Sequence, residues 1–230
     1  MQREQWSRVA HAGIEFMGPY DAASLERLFA GVTLPSPARV LDLGCGKGAV
    51  LAWLASRGPI RGLGVDLIAC DREIPGVEFR AGDAAAAGAG DGSYDLVCSI
   101  GAVSPLSELA QWTSPGGLVL LGDGYWRREP SDEYLAALGA RRDQMTDLAG
   151  LSTRGAPLGL ELLAVAPSST EQWAEYENAW ADNGERYARE HVGEPGVEQF
   201  AAWIGNGRHR YLELGGQETL GFALLLFRRR

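Results

Sequence analysis

VLDLGCGKG, residues 40–48, joins an apolar run to a glycine-rich turn. Residues 39–43 are predicted to form a strand, and residues 49–57 carry Val50, Leu51 and Leu54 at helical spacing. The glycines between these segments let a ligand lie against the backbone, and the start of the helix offers free N–H groups. The stretch therefore predicts a strand, a ligand-binding turn and a helix, in that order.

Short apolar runs continue this pattern along the chain, as expected for βαβ units in a mostly parallel sheet. Further strands are predicted at residues 60–66, 77–80, 94–100, 118–121, 158–166 and 219–228. Ser104 and Pro105 predict a helix to residue 112, with the proline at its first position. Residues 169–190 and a stretch from Val197 have helical patterns, which indicates an insertion between the last two strands. The fold class expected is α/β.

The composition excludes several classes of function. The 230 residues have a net charge of −9, which disfavours binding to nucleic acid or to an anionic membrane surface. The amino terminus is not signal-like and no run is long enough to span a bilayer, so we expect a cytoplasmic protein. Cys45, Cys70 and Cys98 form no CxxC pair, so neither a metal site nor a disulfide is expected.

The glycine turn by itself leaves two cofactors open. Gly44, Gly46 and Ala49 also fit a nicotinamide-dinucleotide fingerprint, with Asp66 standing 22 positions after Gly44. Asp42 favours a ligand that carries an ammonium group, because a carboxylate is unfavourable beside an anionic pyrophosphate.

A second acidic motif, Gly82-Asp83-Ala84, follows the third predicted strand at the same sheet edge as Asp66. In order along the chain, these motifs resemble those of the class I S-adenosylmethionine-dependent methyltransferase family. YDLVCSIGA (94–102) is similar to the family's fourth strand, and SPGGLVLLGD (114–123) to the segment before the fifth. The resemblance implies a doubly wound, Rossmann-like sheet of seven strands with an antiparallel last strand.

The resemblance also implies a binding site for S-adenosylmethionine. Its expected residues are Asp42, Gly44, Cys45, Gly46, Gly48, Asp66, Leu67, Asp83, Ala84, Ser99 and Ile100. In this interpretation the glycines approach the amino-acid part of the cofactor and Asp66 holds the ribose hydroxyls. Asp83 faces adenine, and Ser99 and Ile100 line the floor.

The acceptor side is less defined. Asp123, directly after the fifth predicted strand, is the candidate general base, with turn formation as the alternative. Tyr125, Trp126 and Tyr20 are predicted to line an acceptor pocket, although core packing would also explain the aromatic pair. GDGYWRREP (122–130) resembles a branch of small-molecule methyltransferases.

Other aromatic and histidine residues have two interpretations. The aromatic stripe of residues 173–187 is explained either by packing or by a lid over the acceptor. His11, His191 and His209 are expected to be surface or satisfied histidines.

We expect one methyltransferase domain over residues 1–230. It is divided into an amino-terminal cap (1–35), a cofactor-binding core (36–166), a helical insertion (167–215) and a last strand (216–230). The predicted function is methyl transfer from S-adenosylmethionine to a small-molecule acceptor by a monomer or homodimer. The alternatives are a nicotinamide-dependent oxidoreductase and a non-enzymatic S-adenosylmethionine-binding protein.

Overall fold

The computed structural model describes residues 4–68, 70–83, 92–102 and 105–230. Within these residues the strands are β1 (Ala38–Leu43), β2 (Ile60–Asp66), β3 (Val77–Ala81), β4 (Tyr94–Ile100), β5 (Thr113–Trp126), β6 (Leu160–Pro167) and β7 (Leu220–Arg229). They form one sheet in the order β3-β2-β1-β4-β5-β7-β6. β1 to β5 pair in parallel, whereas β7 runs antiparallel to both β5 and β6. This arrangement confirms the predicted fold class and the antiparallel last strand.

Helices cover the sheet. In the described part of the chain they are α1 (Glu4–Ala10), α2 (Ala22–Leu28), α3 (Ala49–Arg57), α4 (Leu106–Trp112), α5 (Asp132–Leu138), α6 (Leu148–Thr153), α7 (Thr170–Glu190), α8 (Val197–Leu212) and α9 (Gly216–Thr219). Short 3-10 turns lie at Arg142–Gln144 and Ala156–Leu158. None of the helices described here has the length and apolar character needed to cross a membrane.

The two faces of the sheet bury different clusters, because successive side chains of a strand point to opposite sides. Val40 and Leu120 belong to the cluster that contains Leu25 of α2 and Leu51 of α3. We call this side the α3 face.

The neighbouring positions on the same strands point the other way. Leu41, Val119 and Leu121 belong to the cluster that contains Leu109 of α4 and Leu151 of α6. We call this side the α4 face, and the distinction determines which side chains reach the site described below.

The fifth strand is longer than predicted. It was expected at residues 118–121, but β5 extends to Trp126 because β7 pairs with every residue from Leu118 to Trp126. Pro115, Gly116 and Gly117 lie within β5, whose register with β4 shifts between Tyr94 and Leu96. A partner strand about a hundred residues later in the sequence therefore extends β5.

The helices α2 and α4 begin differently. Asp21 caps α2 by accepting a hydrogen bond from Ser24 N at 2.7 Å. Pro105 is the N-cap of α4, with φ −61° and ψ 130°, and not its first helical residue. The proposed cap Ser104 lies outside the described residues.

The amino-terminal segment and the later helices form one cover on the α3 face. α1 packs against α7, α7 packs against α8, and α2 contacts β6 and β7. Trp6 of α1 meets Phe200 and Trp203 of α8, with ring centroids 6.0 and 5.7 Å apart. Segments from the two ends of the sequence thus meet above the sheet.

Candidate functional site

The glycine turn after β1 has a backbone that other residues rarely adopt. Gly44 and Gly46 have φ angles of 71° and 53°, in the left-handed region. A Cβ on Gly44 would lie 2.4 Å from the Cβ of Ala102, and one on Gly46 would lie 2.6 Å from the Sδ of Met17. The turn is held to β2 because the N–H groups of Gly44 and Cys45 donate to the carbonyl of Val65.

A cavity of about 580 Å³ opens beside this turn, where the carboxyl ends of β1, β2 and β4 meet. In open α/β sheets, ligands bind at the carboxyl ends of the strands where the strand order reverses, and here that reversal occurs at β1. From the sheet side the cavity is lined by Asp42, Gly44, Cys45, Gly46, Asp66, Leu67 and Ile100. From the cover it is lined by His11, Met17, Tyr20 and Tyr176. The structure therefore places eight of the predicted site residues around one space.

Asp66 serves the turn as well as the cavity. Its Oδ2 accepts a hydrogen bond from Gly46 N at 2.9 Å, and its Oδ1 accepts one from Ile68 N at 3.2 Å. Each carboxylate oxygen has a second lone pair. The half-buried carboxylate can therefore also accept hydrogen bonds from a ligand.

Asp42 is a buried carboxyl at the floor of the cavity, with 3% of its surface exposed. Burial, with a smaller contribution from the charge of Asp66, raises the pKa of Asp42 to about 7. A cation brought into the cavity would offset both effects, since it favours the ionised carboxylate. The site is therefore suited to a positively charged ligand group.

His11 and Tyr176 form a hydrogen-bonded pair on the cover side of the cavity. The Nδ1 of His11 lies 2.6 Å from the carbonyl oxygen of Ser7, which can only accept, so Nδ1 carries the proton. The Nε2 then accepts from the hydroxyl of Tyr176 at 2.9 Å. Burial lowers the pKa of His11 and raises that of Tyr176, so both are neutral at pH 7.

The cover is also tied to the glycine turn through Lys47. Its ammonium donates to the carbonyl of His11 at 3.1 Å and to the carbonyl of Ile14. Arg72, beyond β2, donates to Glu15 at 3.0 Å. The segment that carries His11 is thus fixed against the turn.

The predicted acceptor-side residues after the fifth strand do not line this cavity. Asp123 pairs with Ala223 on the α4 face, and its carboxylate accepts from Arg154 at 2.8 Å. Tyr125 is buried in the cluster of the α4 face. These placements correct the prediction. The prediction assumed that β5 ends before Asp123, so that Asp123 and Tyr125 would lie in a loop and could turn toward the glycine turn.

Trp126 is also a packing residue in this structure. Its Nε1 donates to the carbonyl of Arg142 at 3.0 Å, and its ring meets that of Tyr134 with centroids 6.5 Å apart. It belongs to a small cluster between β5 and α5. The prediction that Trp126 lines the acceptor pocket is therefore corrected as well.

Three other predicted residues stand apart from the cavity. Ser99 is fully buried and pairs with Leu121 of the α4 face, so its side chain points away from the glycine turn. Gly48 is the N-cap of α3, outside the lining residues that are described. Asp83 is exposed just after β3, where its role toward adenine stays a prediction. Ala84 lies outside the described residues.

A second cavity, of about 260 Å³, adjoins the first on its cover side. Ser7, His11 and Tyr176 line both cavities. The remaining walls of the second cavity come largely from α7 and α8 and include the rings of Trp173, Trp180 and Trp203. Part of the aromatic stripe on α7 therefore lines a cavity, while Tyr187 packs against Phe200.

Sequence reasoning missed the role of His11 and Tyr176 in this arrangement. His11 was expected to be a satisfied or surface histidine, and it is satisfied, but it also faces both cavities. Tyr176 lies within the aromatic stripe, without a sign in the sequence that singled it out. The only available signal was the spacing of the stripe on α7.

Comparison with known proteins gives a consistent result. The chain matches the family described as Methyltransferase domain over residues 14–148. It is 31% identical over 162 residues to the uncharacterized protein YjhP of Escherichia coli, which covers 61% of this chain and 64% of that protein, less than two thirds of its length. It is 30% identical over 176 residues to trans-aconitate 2-methyltransferase of Variovorax paradoxus, covering 68% of each.

A solved structure has the same fold over its whole length. This structure, described as a SAM-dependent methyltransferase from Thiobacillus denitrificans in complex with S-adenosyl-L-homocysteine, has a TM-score of 0.84 and 24% identity. The match covers 100% of this chain and 99% of that one.

Proposed function

Because the chain belongs to the methyltransferase domain family, we propose that it transfers the methyl group of S-adenosylmethionine to a small molecule. The membership confirms the family that the sequence motifs resemble. The observation that carries the proposal is the meeting of Asp42, Asp66 and the glycine turn around one cavity. The similarity to trans-aconitate 2-methyltransferase of Variovorax paradoxus supports a small acceptor.

The residues around the first cavity fit the chemical groups of this cofactor. Asp42 would bind the ammonium group of the cofactor, whose positive charge would stabilise the ionised form of this buried carboxyl. Asp66 would accept from the ribose hydroxyls through the lone pairs that Gly46 and Ile68 leave free. Leu67, which is 73% exposed, offers an apolar surface at the rim for the adenine ring.

When bound, the cofactor supplies a methyl group on a sulfonium, which is already activated toward a nucleophile. The protein then has to position the acceptor, exclude water and, for an acceptor that carries a proton, remove that proton. Positioning and exclusion of water fall to the cover, which Lys47 and Arg72 fix against the turn.

His11 and Tyr176 are the groups placed to remove a proton. In the proposed transfer, an acceptor O–H or N–H gives its proton to the Tyr176 oxygen while the Tyr176 proton moves to Nε2 of His11. The result is an imidazolium, whose Nδ1–H remains bonded to the carbonyl of Ser7. Burial lowers the pKa of His11, so its Nε2 is unprotonated at pH 7 and available for this proton, although the imidazole is a weaker base than one in water.

The size of the second cavity supports a small acceptor. A space of about 260 Å³ holds a metabolite-sized molecule and excludes a folded macromolecule. The His11–Tyr176 pair stands between this cavity and the first, which is where the methyl group would be passed.

Calorimetry with purified protein tests the proposal. S-adenosylmethionine and S-adenosylhomocysteine should bind and compete with each other, whereas NADH should produce no heat. Binding of NADH without binding of either adenosyl ligand would overturn the proposal in favour of an oxidoreductase. Incubation with labelled S-adenosylmethionine and a small-molecule extract should then yield a methylated product, and a protein that binds the cofactor but never yields one would be a binding protein only.

A further inference from the structure

The second cavity contains two opposite charges that the proposed methyl transfer does not use. Glu177 on α7 and Arg210 on α8 both line it. They influence each other electrostatically, yet within the described residues neither forms an ion pair or a hydrogen bond with another side chain. Two charges held apart in one small cavity leave a place for a ligand that satisfies both.

The carboxylate of Glu177 stands in poorly solvated surroundings. Burial raises the pKa of Glu177 to about 7, and Arg210 offsets this rise only in part. Burial raises the pKa of Tyr134 and Tyr211, which also line the cavity, and both tyrosines lie close enough to Glu177 for its charge to raise their pKa further. Neither tyrosine supplies a positive charge to this carboxylate. A cationic group beside Glu177 would stabilise its ionised form.

Aromatic rings form much of the wall around these charges. Trp180 and Trp203 meet edge to face with centroids 4.8 Å apart. Trp173 lies about two helical turns before Trp180 on α7, and its ring centroid is 6.5 Å from that of Tyr176. Gly207 of α8 leaves room for the indole of Trp180, because a Cβ there would lie 2.7 Å from that ring. Aromatic faces attract ammonium groups and also accommodate an apolar body.

We propose that the second cavity holds the methyl acceptor and that this acceptor is a small zwitterion, with an amine beside Glu177 and an acidic group beside Arg210. The inference rests on the proposed function, since it assigns the substrate class of the same site. A monocation would pair with Glu177 but be repelled by Arg210, whereas a monoanion would pair with Arg210 but be repelled by Glu177. Only a molecule that carries both charges gives each of these residues a partner.

Matched ligands test this charge requirement on the whole protein. The probes are the proteinogenic amino acids, the amines formed by their decarboxylation, and the carboxylic acids formed by removal of their amine. Binding is followed as the rise in melting temperature in the presence of saturating S-adenosylhomocysteine. At least one amino acid should bind at least tenfold more tightly than both of its singly charged counterparts.

Two charge variants and a control locate the effect. Glu177→Gln should weaken binding of the amino acid at least tenfold and bring it level with the carboxylic acid, and Arg210→Gln should bring it level with the amine. Glu175→Gln, at an exposed position of the same helix, should leave all three probes unchanged. All variants should bind S-adenosylhomocysteine like the parent protein.

Several results would overturn the inference. They are equal binding of an amino acid and its singly charged counterparts, an unaltered affinity in folded Glu177→Gln, or no binding by any probe. If S-adenosylhomocysteine still binds in those cases, the proposed function stands and only the substrate class fails. If S-adenosylhomocysteine does not bind to the parent protein, the proposed function fails together with the inference.

Discussion

Replacing Asp66 by asparagine separates the role of its charge from the role of its shape. In the structure the carboxylate accepts from the N–H groups of Gly46 and Ile68, one on each oxygen. Asparagine has the same outline but one acceptor oxygen, so one of these N–H groups loses its partner. Because the side chain is half-buried and water can take its place, the expected loss of stability is only about 1 kcal/mol.

The effect on the cofactor should be larger than the effect on the fold. Two ribose hydroxyls would lose a charged acceptor, and hydrogen bonds to charged groups contribute about 1.5–3 kcal/mol. We therefore expect Asp66→Asn to raise the dissociation constant of S-adenosylhomocysteine by about 10- to 100-fold. Isothermal calorimetry gives the dissociation constant, and urea denaturation of the ligand-free protein gives the stability.

The matched control is Asp71→Asn. Asp71 also lines the first cavity, but its side chain is 79% exposed and pairs with Arg8 at 2.5 Å, so the dissociation constant should stay within about threefold. The reasoning would be refuted if Asp66→Asn folds and binds as tightly as the parent protein. That result would limit Asp66 to holding the turn.

Three further variants test the rest of the site. Tyr176→Phe, which leaves Nε2 of His11 without its donor, should lower kcat by about 10- to 100-fold with cofactor affinity unchanged, as measured by steady-state turnover and calorimetry. Asp42→Asn should make the ligand-free protein more stable at pH 8, by as much as ~4 kcal/mol, and the gain should disappear near pH 4 in calorimetric melting curves. The sign follows from the pKa of Asp42, which is raised to about 7 in the folded state: between about pH 4 and pH 7 the unfolded chain releases this proton while the native state keeps it, so rising pH destabilises the parent protein but not the variant. Trp126→Phe should lower the free energy of unfolding by about 1–3 kcal/mol through loss of its bond to Arg142, and a loss of turnover in a stable variant would contradict its packing role.

Local pattern was enough to predict the elements that form the sheet side of the first cavity. The helix after the turn has the predicted bounds, Ala49–Arg57, and β2 ends at Asp66 as expected. These features depend on short-range causes, namely glycine between a strand and a helix and an acidic residue at a strand end. A sequence shows such causes directly, because every participant lies within about 25 residues.

The proposed acceptor side of the site depends on contacts that no local pattern contains. His11 and Tyr176 are 165 positions apart and meet only because α1 packs on α7. Glu177 and Arg210 share a cavity for a similar reason, since α7 and α8 pack side by side. Both pairs were therefore outside the reach of motif reasoning.

The misplacement of Asp123 shows how a long-range contact also changes which way a side chain points. If β5 had ended at residue 121, Asp123 would have lain in a loop, free to turn toward the glycine turn. Pairing with β7 instead holds it in an extended strand opposite Ala223, and alternation along that strand directs it to the α4 face, where Arg154 binds it. For an acceptor that carries a proton, the base would then come from another element, and the cover supplies the proposed pair, His11 and Tyr176, to the first cavity.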